Sequence, residues 1–368
     1  MMKIPFYHID RFYQNHKAKI NAITDEVFAS GQVLEGKSVA LLEENLSRLC
    51  QRKYAVMTGS CTDALYFSLK ATGIKQGDEV IVPAYSFIAS ASPIVRVGAT
   101  PIFVDTDITG NMDMEKAQQV VTKKTKAIIP VHLHGKMIHP ATLLDFASEN
   151  NIIIIEDAAQ AFGSSFEGIP AGNTGLCSCF SFDPSKIVGA FGTGGAVLTD
   201  DPEIYKQILA FRSQGKNAES GLYSIQGYNS RISTLQAALI LFQTEILTDI
   251  IQRRKTVAEK YYNLIPYSDA LSHLPIAQNN EAYNYHKFPL FTPQRDKLKT
   301  FLKEQGIETG IHYPQLLPDQ PLFEKPTNRF PTATQLSKTT LSLPIYPELS
   351  DDEISYICQT IHTFFKNH

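Results

Sequence analysis

The sequence predicts an α/β protein: a three-layer sandwich around a mostly parallel sheet, followed by a smaller C-terminal α/β domain. Short, nearly all-apolar runs alternate with helical segments before residue 230. Such runs are typical of parallel strands that are covered by helices on both faces. The chain has 368 residues, more than one hydrophobic core usually holds, so a second domain is expected.

The predicted strands are short runs that are rich in β-branched and other apolar residues. In chain order they cover residues 54–57, 79–82, 101–104, 127–131, 152–155, 177–182 and 195–198. A helix is predicted over residues 62–72, after the first strand. Ser86 is predicted to be the N-cap of another helix, which extends to Val95, because a serine hydroxyl can accept hydrogen bonds from first-turn amides.

A long helical pattern over residues 233–262 marks the predicted end of the large domain. Its apolar side chains recur at helical spacing, and they include Leu235, Ala238, Leu241, Phe242 and Ile246. A polar, irregular stretch follows at 268–281. We therefore divide the chain into a large domain of residues 1–245, with its N-terminal segment, and a small domain of residues 246–368.

The composition excludes several classes of partner. The net charge of −3 and the 19% of charged residues give no electrostatic basis for binding nucleic acid or an anionic membrane. No apolar run approaches the roughly 20 residues of a membrane span. The first residues lack the apolar stretch of a signal peptide, so a cytoplasmic protein is expected. There thiols stay reduced, and five cysteines without paired spacing indicate buried thiols rather than disulfides or zinc ligands.

Three polar groups follow predicted strands, at the edge where open α/β sheets bind ligands. Asp157 follows strand 152–155, and Lys186 follows strand 177–182. The segment GSCTDAL (59–65) can offer amides and hydroxyls to a phosphate at a helix N-terminus. Singly, Asp157 could be a helix cap or metal ligand, and Lys186 a loop lysine that reaches solvent. Together they supply what pyridoxal 5'-phosphate (PLP) needs: an anion cradle, a carboxylate and a lysine.

An ordered set of motifs extends this interpretation over nearly the whole chain. The motifs are GSCTDAL (59–65), GDEVIVPAYSF (77–87), GATPIFVD (98–105), PVHLHG (130–135), EDAAQAFG (156–163), SFDPSK (181–186), GTGGAVLT (192–199), GYNSR (227–231), TGIHYP (309–314) and LSLPIYP (341–347). The set resembles the DegT/DnrJ/EryC1/StrS family of sugar aminotransferases, which are PLP enzymes of fold type I. The resemblance implies an aminotransferase with PLP as its cofactor.

The resemblance also implies roles for individual residues around the cofactor ring. Lys186 falls on the lysine that holds the cofactor covalently and then moves a proton. Asp157 falls on the carboxylate that pairs with the ring nitrogen. Gln160 falls on the amide that contacts the ring hydroxyl, and Phe87 on the aromatic residue stacked against the ring.

The phosphate of the cofactor has its own set of implied contacts. Thr62, Ser181 and the backbone at Cys61 fall on the phosphate site. Asn229 falls on an asparagine that reaches this phosphate from the neighbouring subunit, so the resemblance implies a homodimer with shared active sites. The family usually has glycine where Cys61 stands. Cysteine still offers its backbone amide to the phosphate, but its Cβ leaves less space for the phosphate to approach that amide.

The implied reaction moves an amino group, with glutamate as the donor, to a nucleotide-linked keto-sugar of the 3- or 4-keto-6-deoxy type, for amino-sugar and polysaccharide biosynthesis. The candidate substrate contacts are His134, Arg231, His312 and Tyr313. Arg231 could equally be a subunit contact, and His312 and Tyr313 could simply pack. His134 stands where the family usually has tyrosine. With His132 it could suggest a metal pair, but a strand that ends at the substrate cleft is the better interpretation, so no metal is expected.

Two alternatives share the predicted fold. A PLP-dependent sugar dehydratase carries histidine at the lysine position, and Lys186 argues against it. A non-catalytic regulatory or binding homologue has no need of a lysine that can condense with the cofactor. The joint presence of Lys186, Asp157, Gln160 and the phosphate loop 59–65 argues against it.

Overall fold

The computed structural model describes residues 2–278, 281–325, 327 and 329–367. Its α-helices are α1 (Ile9–Ser30), α2 (Lys37–Leu49), α3 (Cys61–Ala71), α4 (Ser92–Arg96), α5 (Met114–Gln119), α6 (Pro140–Asn150), α7 (Pro202–Arg212), α8 (Thr234–Glu245), α9 (Leu247–Leu264), α10 (Arg295–Glu304), α11 (Pro331–Thr339) and α12 (Asp351–Asn367). Short 3₁₀ turns lie at Ile88–Ser90, Leu133–Gly135 and Leu317–Asp319.

The strands alternate with these helices through the first half of the chain. They are β1 (Tyr54–Thr58), β2 (Glu79–Pro83), β3 (Thr100–Val104), β4 (Thr125–Ile128), β5 (Ile153–Asp157), β6 (Ser165–Phe166), β7 (Ile169–Pro170), β8 (Cys177–Ser181), β9 (Gly195–Thr199), β10 (Ser272–His273), β11 (Glu281–Ala282), β12 (Phe288–Phe291) and β13 (Thr340–Leu343). The strands of the main sheet begin and end within three residues of the predicted ones.

A seven-stranded sheet in the order β1-β9-β8-β5-β4-β2-β3 forms the centre of the molecule. The neighbours from β3 to β8 are parallel, whereas β9 runs antiparallel to both β8 and β1. Six strands therefore point the same way, and the predicted mostly parallel sheet is confirmed. Their carboxyl ends lie along one edge, and the Gly195 end of β9 joins them there.

Both faces of the sheet are covered, as the predicted three-layer sandwich requires. Val80 and Val82 of β2 pack with α3, while the intervening Ile81 packs on the opposite face in a cluster with Leu143 of α6. This alternation follows from the two-residue period of a strand. Phe67 of α3 is completely buried, and burial of such a side chain contributes roughly 1.5–3 kcal/mol.

A second core forms around the sheet β10-β12-β13 with α9, α10 and α12. Helices α8 and α9 meet at Ile246 with a bend of 63°, at the position where the sequence analysis divides the chain. Ile4 packs in this second core and pairs with Ile307, although the predicted division places it with the first domain. No single helix among the described residues is both long and apolar enough to span a membrane; α8 and α9 reach that limit only as a bent pair.

The region after Ser86 differs from the prediction of one capped helix. It contains a 3₁₀ turn at Ile88–Ser90 and then the short helix α4. The Ser86 hydroxyl bonds to the hydroxyl of Ser90 at 2.8 Å instead of capping a helix. The two serines therefore extend a hydrogen-bond chain at the sheet edge, which takes the hydroxyl away from the backbone amides.

Candidate active site

A cavity of about 340 Å³ lies at the edge where the six parallel strands end. Seven residues that the sequence analysis assigned to one site line it together: Cys61, Thr62, Phe87, Asp157, Gln160, Ser181 and Lys186. His312 and Tyr313, which come from the C-terminal part of the chain, line it as well. Residues more than 250 positions apart in sequence are therefore brought to one cavity.

The N-terminus of α3 forms one end of the cavity. Ser60 caps this helix and accepts a hydrogen bond from the Asp63 amide at 3.1 Å. The amides of Cys61 and Thr62, in the first turn, have no intrahelical acceptor and are free for an anion. A Cβ at Gly195 would come within 2.4 Å of the Cys61 nitrogen, so glycine is needed where β9 passes this loop. Burial raises the pKa of the Cys61 thiol well above its ordinary value, so that thiol is neutral.

Asp157 ends β5 with a buried carboxylate. Its Oδ2 accepts a hydrogen bond from Ser90 at 2.7 Å, and its Oδ1 accepts one from the Ala159 amide at 3.2 Å. Burial raises the pKa of Asp157, and these two hydrogen bonds offset part of that effect. A carboxylate placed in this way is stabilised by a cationic partner in the cavity.

Lys186 enters the cavity from the loop that follows β8. The loop turns tightly: the Lys186 amide donates to the Asp183 carbonyl at 2.9 Å, and a Cβ at Gly189 would lie 2.7 Å from the Pro184 carbonyl oxygen. Burial lowers the pKa of Lys186 below that of a free lysine. A larger fraction of its amine is therefore unprotonated and nucleophilic at neutral pH.

A network of polar groups and rings closes the side of the cavity next to Gln160. The Gln160 Nε2 donates to the Tyr313 hydroxyl at 3.3 Å, and its Oε1 accepts from the His134 amide at 3.0 Å. Tyr85 connects this network to the C-terminal domain, because its hydroxyl accepts from the Tyr313 amide at 2.8 Å. Phe87 is 56% exposed, with its ring 6.0 Å from that of Tyr313, so a flat ligand can pack against it.

Three predicted site residues lie outside this cavity in the single chain. His134 is buried in a small adjoining cavity beside Lys287. Arg231 lies near Glu35 in a separate surface pocket. Asn229 is exposed, and its Oδ1 accepts from Arg231 at 3.3 Å. No cluster of three or more metal-ligating side chains occurs among the residues that the structure describes.

Among the polar residues at the cavity that were not predicted from the sequence are Ser90, His286 and Lys287. Ser90 donates to Asp157, and it gave no local signal because its segment was interpreted as a helix. Lys287 lines the cavity from the start of β12. A lysine directly before the buried run 288–291 is the signal that could have identified it, since an ammonium at a buried strand needs a partner.

The model of one protein family matches residues 14–362, and that family is the DegT/DnrJ/EryC1/StrS aminotransferases. The chain belongs to this family. Membership makes the protein an aminotransferase, and its fold is that of the fold type I PLP enzymes. The seven cavity residues are the ones that the sequence resemblance assigns to the cofactor.

Two characterised relatives in the DegT/DnrJ/EryC1/StrS family span almost the whole chain. A pleiotropic regulatory protein of Geobacillus stearothermophilus is 35% identical, and the match covers 100% of each chain. The UDP-2-acetamido-2-deoxy-3-oxo-D-glucuronate aminotransferase of Pseudomonas aeruginosa is 34% identical, and the match covers 94% of this chain and 96% of the relative.

Solved structures of family members agree with the fold over its full length. DesV of Streptomyces venezuelae, solved in complex with a ketimine intermediate, is 30% identical, with a TM-score of 0.95 and 99% of each chain covered. NtdA of Bacillus subtilis, solved with bound PMP, is 27% identical, with a TM-score of 0.91, 100% of this chain and 86% of NtdA covered. PMP is the amine form of PLP, so PLP is the cofactor of this aminotransferase family.

Proposed function

We propose that this aminotransferase moves an amino group from glutamate to a nucleotide-linked keto-sugar. The observation that carries the proposal is that Lys186 and Asp157 line one cavity with the N-terminus of α3. These are a nucleophilic amine, a buried carboxylate and a phosphate cradle. The donor set fits PLP chemically, because each of these groups has a complementary group on the cofactor.

Three sets of residues would hold the cofactor. Thr62, Ser181 and the amide of Cys61 would bind the phosphate, which the positive end of α3 would also stabilise. Phe87 would pack against the ring of the cofactor. Gln160 would contact the ring hydroxyl with its side-chain amide, which lies in hydrogen-bond contact with Tyr313.

Lys186 carries out the proton transfers. When bound, PLP supplies an electron sink for the bond that breaks at the substrate carbon. Lys186 would hold the cofactor through its amine and, when that amine is free, would remove a proton from the substrate carbon as base and return one as acid. Asp157 would keep the ring nitrogen of the cofactor protonated, and the hydrogen bond from Ser90 orients the carboxylate for that task.

The keto-sugar assignment is supported by relatives of similar length. One relative is named for a UDP-linked 3-oxo-glucuronate, another is a dTDP-3-amino-3,6-dideoxy-galactopyranose transaminase, and a third is a GDP-perosamine synthase. On this proposal His312 and Tyr313 contact the sugar, since both line the cavity. The product would be an amino sugar for polysaccharide biosynthesis.

We further propose a homodimer whose active sites are shared, with Asn229 of each subunit at the phosphate of the other. Asn229 is exposed and does not line the cavity of its own chain. Leu222 and Tyr223, in the loop before it, are 69% and 71% exposed. Exposed apolar side chains such as these are typical of a subunit interface, and Asn229 lies close to them in sequence.

A cytoplasmic location completes the proposal. All five cysteines are buried and free, and none is in a disulfide. Reduced thiols fit a reducing compartment. Immunoblotting of fractionated cells tests this, because recovery in a membrane or secreted fraction would contradict it.

The test of the main proposal is a pair of half-reactions with the purified protein. The PLP-loaded protein should show the visible absorbance of a lysine-bound cofactor. Glutamate should convert it to the amine form with release of 2-oxoglutarate, and a panel of nucleotide keto-sugars should then restore the first spectrum. Failure of every amino donor to change the spectrum would overturn the proposal.

A regulatory function is the second candidate, because the relative from Geobacillus stearothermophilus is named a pleiotropic regulatory protein. A regulator can bind PLP without turnover. The same experiment separates the two, since a regulator would keep its spectrum unchanged through both half-reactions.

A further inference from the structure

Lys287 has a buried amine that forms no ion pair among the described residues. The residue is 8% exposed, and it lines the same cavity as Lys186 and Asp157. Its backbone amide donates to the His134 carbonyl at 3.4 Å, and its Nζ lies 4.9 Å from the centre of the Phe6 ring. Within the described part of the chain, no carboxylate oxygen comes within ion-pair distance of that nitrogen.

Cationic and neutral groups predominate around Lys287, although Glu348 lines a second cavity together with it and Arg254. The positive charges of Lys186 and Arg254 act on it, and Asp183 is the acid that partly opposes them. Arg254 is itself buried; its Nη1 donates to the Tyr285 carbonyl, and its Nε has no partner.

Three imidazoles surround the same region and bring no negative charge; His134 and His286 are buried, and His312 is half-buried. Burial lowers the pKa values of His134, His286 and His312, so all three are neutral at pH 7. The Nδ1 atom of His286 is buried without a hydrogen-bond partner. The part of the cavity around Lys287 therefore gains no negative charge from these rings.

An unpaired buried cation costs several kcal/mol unless a counter-ion arrives. In the free protein the cost is reduced because burial and the two neighbouring cations lower the pKa of Lys287 to about 7. A bound anion would reverse this effect and charge the lysine. Lys287 therefore has the properties of a binding residue whose counter-ion is supplied by an anionic ligand.

We infer that Lys287 binds a carboxylate of the substrate beside the reacting carbon. The inference rests on the proposed function and deepens it. The cofactor phosphate is assigned to Thr62 and Ser181, at the N-terminus of α3, and so is not the anion that Lys287 requires. The diphosphate of a nucleotide sugar is attached at sugar carbon 1, away from the keto carbon. The anion that can lie beside Lys186 is therefore a carboxylate.

Two substrates can supply this carboxylate. An amino-acid donor carries one on the reacting carbon itself. A keto-sugar of the hexuronate type carries one at carbon 6. Lys287 would bind the carboxylate of either substrate, and the experiment below distinguishes the amino-acid donor from the keto-sugar.

The test compares Lys287→Met with the wild type in both half-reactions. Methionine keeps the length of the apolar stem that lies against Phe6, and retained PLP absorbance and melting temperature show that the variant is folded. Lys297→Met, which removes an exposed lysine of α10, is the matched control. Rapid mixing gives the apparent Kd and the limiting rate for glutamate, and then for UDP-2-acetamido-2-deoxy-3-oxo-glucuronate and for the matching 3-oxo-glucose derivative.

The apparent Kd for one carboxylate-bearing substrate should rise at least tenfold in Lys287→Met, while Lys297→Met stays within twofold of the wild type. A rise for glutamate identifies the donor carboxylate. A rise for the 3-oxo-glucuronate but not for the 3-oxo-glucose derivative identifies the sugar carboxylate. Values within twofold of wild type for both substrates would overturn the inference.

Calorimetry with glutarate gives a readout that needs no turnover. Wild-type affinity should be constant below about pH 7 and should fall above it by about tenfold per pH unit, because the ammonium form binds the anion. Lys287→Met should bind weakly at every pH. If the wild type reacts with no amino donor, the proposed function fails, yet this measurement still decides whether Lys287 binds a carboxylate.

Discussion

The carboxylates of Glu156 and Asp157, adjacent residues at the end of β5, point to opposite faces of the sheet and have pKa values displaced in opposite directions. Burial acts on both, but Glu156 accepts hydrogen bonds from His132 at 2.8 Å and from the Gly172 amide at 2.6 Å, which lower its pKa to about 2. Asp157 has fewer such bonds, and burial raises its pKa. The protein itself supplies hydrogen-bond donors for the Glu156 carboxylate, whereas the Asp157 carboxylate still lacks a cationic partner.

Glu156→Gln should destabilise the fold but should leave the binding of PLP in the cavity intact. Removing one partner of a buried, hydrogen-bonded pair costs about 3 kcal/mol of unfolding free energy. Because the folded pKa of Glu156 is depressed from 4.5 to about 2, its stabilisation is fully present above pH 4.5 and is lost as the pH falls towards 2. Urea unfolding at pH 7 and pH 4 should show the gap between variant and wild type shrinking. The exposed Glu149→Gln is the control; an equal loss there would contradict this assignment.

Asp157→Asn should stabilise the cofactor-free protein, whereas Glu156→Gln destabilises it. Its folded pKa lies above the ordinary value of 3.8, so ionisation costs folding free energy at higher pH. The variant should unfold at a higher urea concentration than wild type at pH 7, and the difference should vanish as the pH falls below 3.8. With PLP bound the variant should keep the cofactor spectrum but transfer amino groups more slowly. Asp25→Asn, an exposed change in α1, should alter neither quantity.

The sequence was sufficient to predict the sheet and the residues at its carboxyl edge. Asp157 and Lys186 each follow a short apolar run, and parallel strands end at one edge, so local pattern and topology together locate both. The position of loop 59–65 at this edge was predictable for the same reason. Each of these predictions needs only the local sequence of one strand and the loop that follows it.

The residues that escaped prediction depend on contacts between distant segments. Lys287 lies about 100 positions after Lys186 and precedes its strand rather than following it, so the rule that located Lys186 does not apply. Ser86 was predicted to cap a helix, but its hydroxyl has a competing partner in Ser90, which in turn bonds Asp157. Such competition becomes visible only when the strands are assembled.

Lys186→Ala should abolish transfer while leaving the phosphate site able to bind PLP. Loss of the proton-transferring amine should reduce turnover by at least about 10²–10⁴-fold. The visible band of the lysine-bound cofactor should disappear, although dialysis should still show retained PLP. Lys186→Arg keeps the positive charge but cannot condense with the cofactor, so it should be equally inactive. Near-wild-type transamination by Lys186→Ala would falsify the assignment and favour the regulatory function.

Thr62→Ala should weaken cofactor retention more than it slows the chemistry. A hydrogen bond to a charged phosphate contributes about 1.5–3 kcal/mol, which corresponds to about a 10- to 100-fold rise in the Kd for PLP. At saturating PLP the turnover number should stay within a few-fold of wild type. Equilibrium dialysis measures the first quantity and steady-state kinetics the second. Thr72→Ala, at the far end of α3, should leave the Kd for PLP unchanged.

Mixing two inactive variants should restore activity if the active sites are shared. Asn229→Asp places a negative charge at the phosphate of the partner subunit and should raise the Kd for PLP by at least about tenfold through like-charge repulsion. In a mixed dimer with Lys186→Ala, one site carries both changes and the other carries neither. Refolding or co-expressing the two variants should therefore recover activity at limiting PLP that neither variant has alone. Mixed dimers are isolated with two affinity tags, so that their activity is assigned to them directly. A mixed dimer with no more activity than the parents, or a monomer in sedimentation velocity, would show that Asn229 does not act on the partner's site.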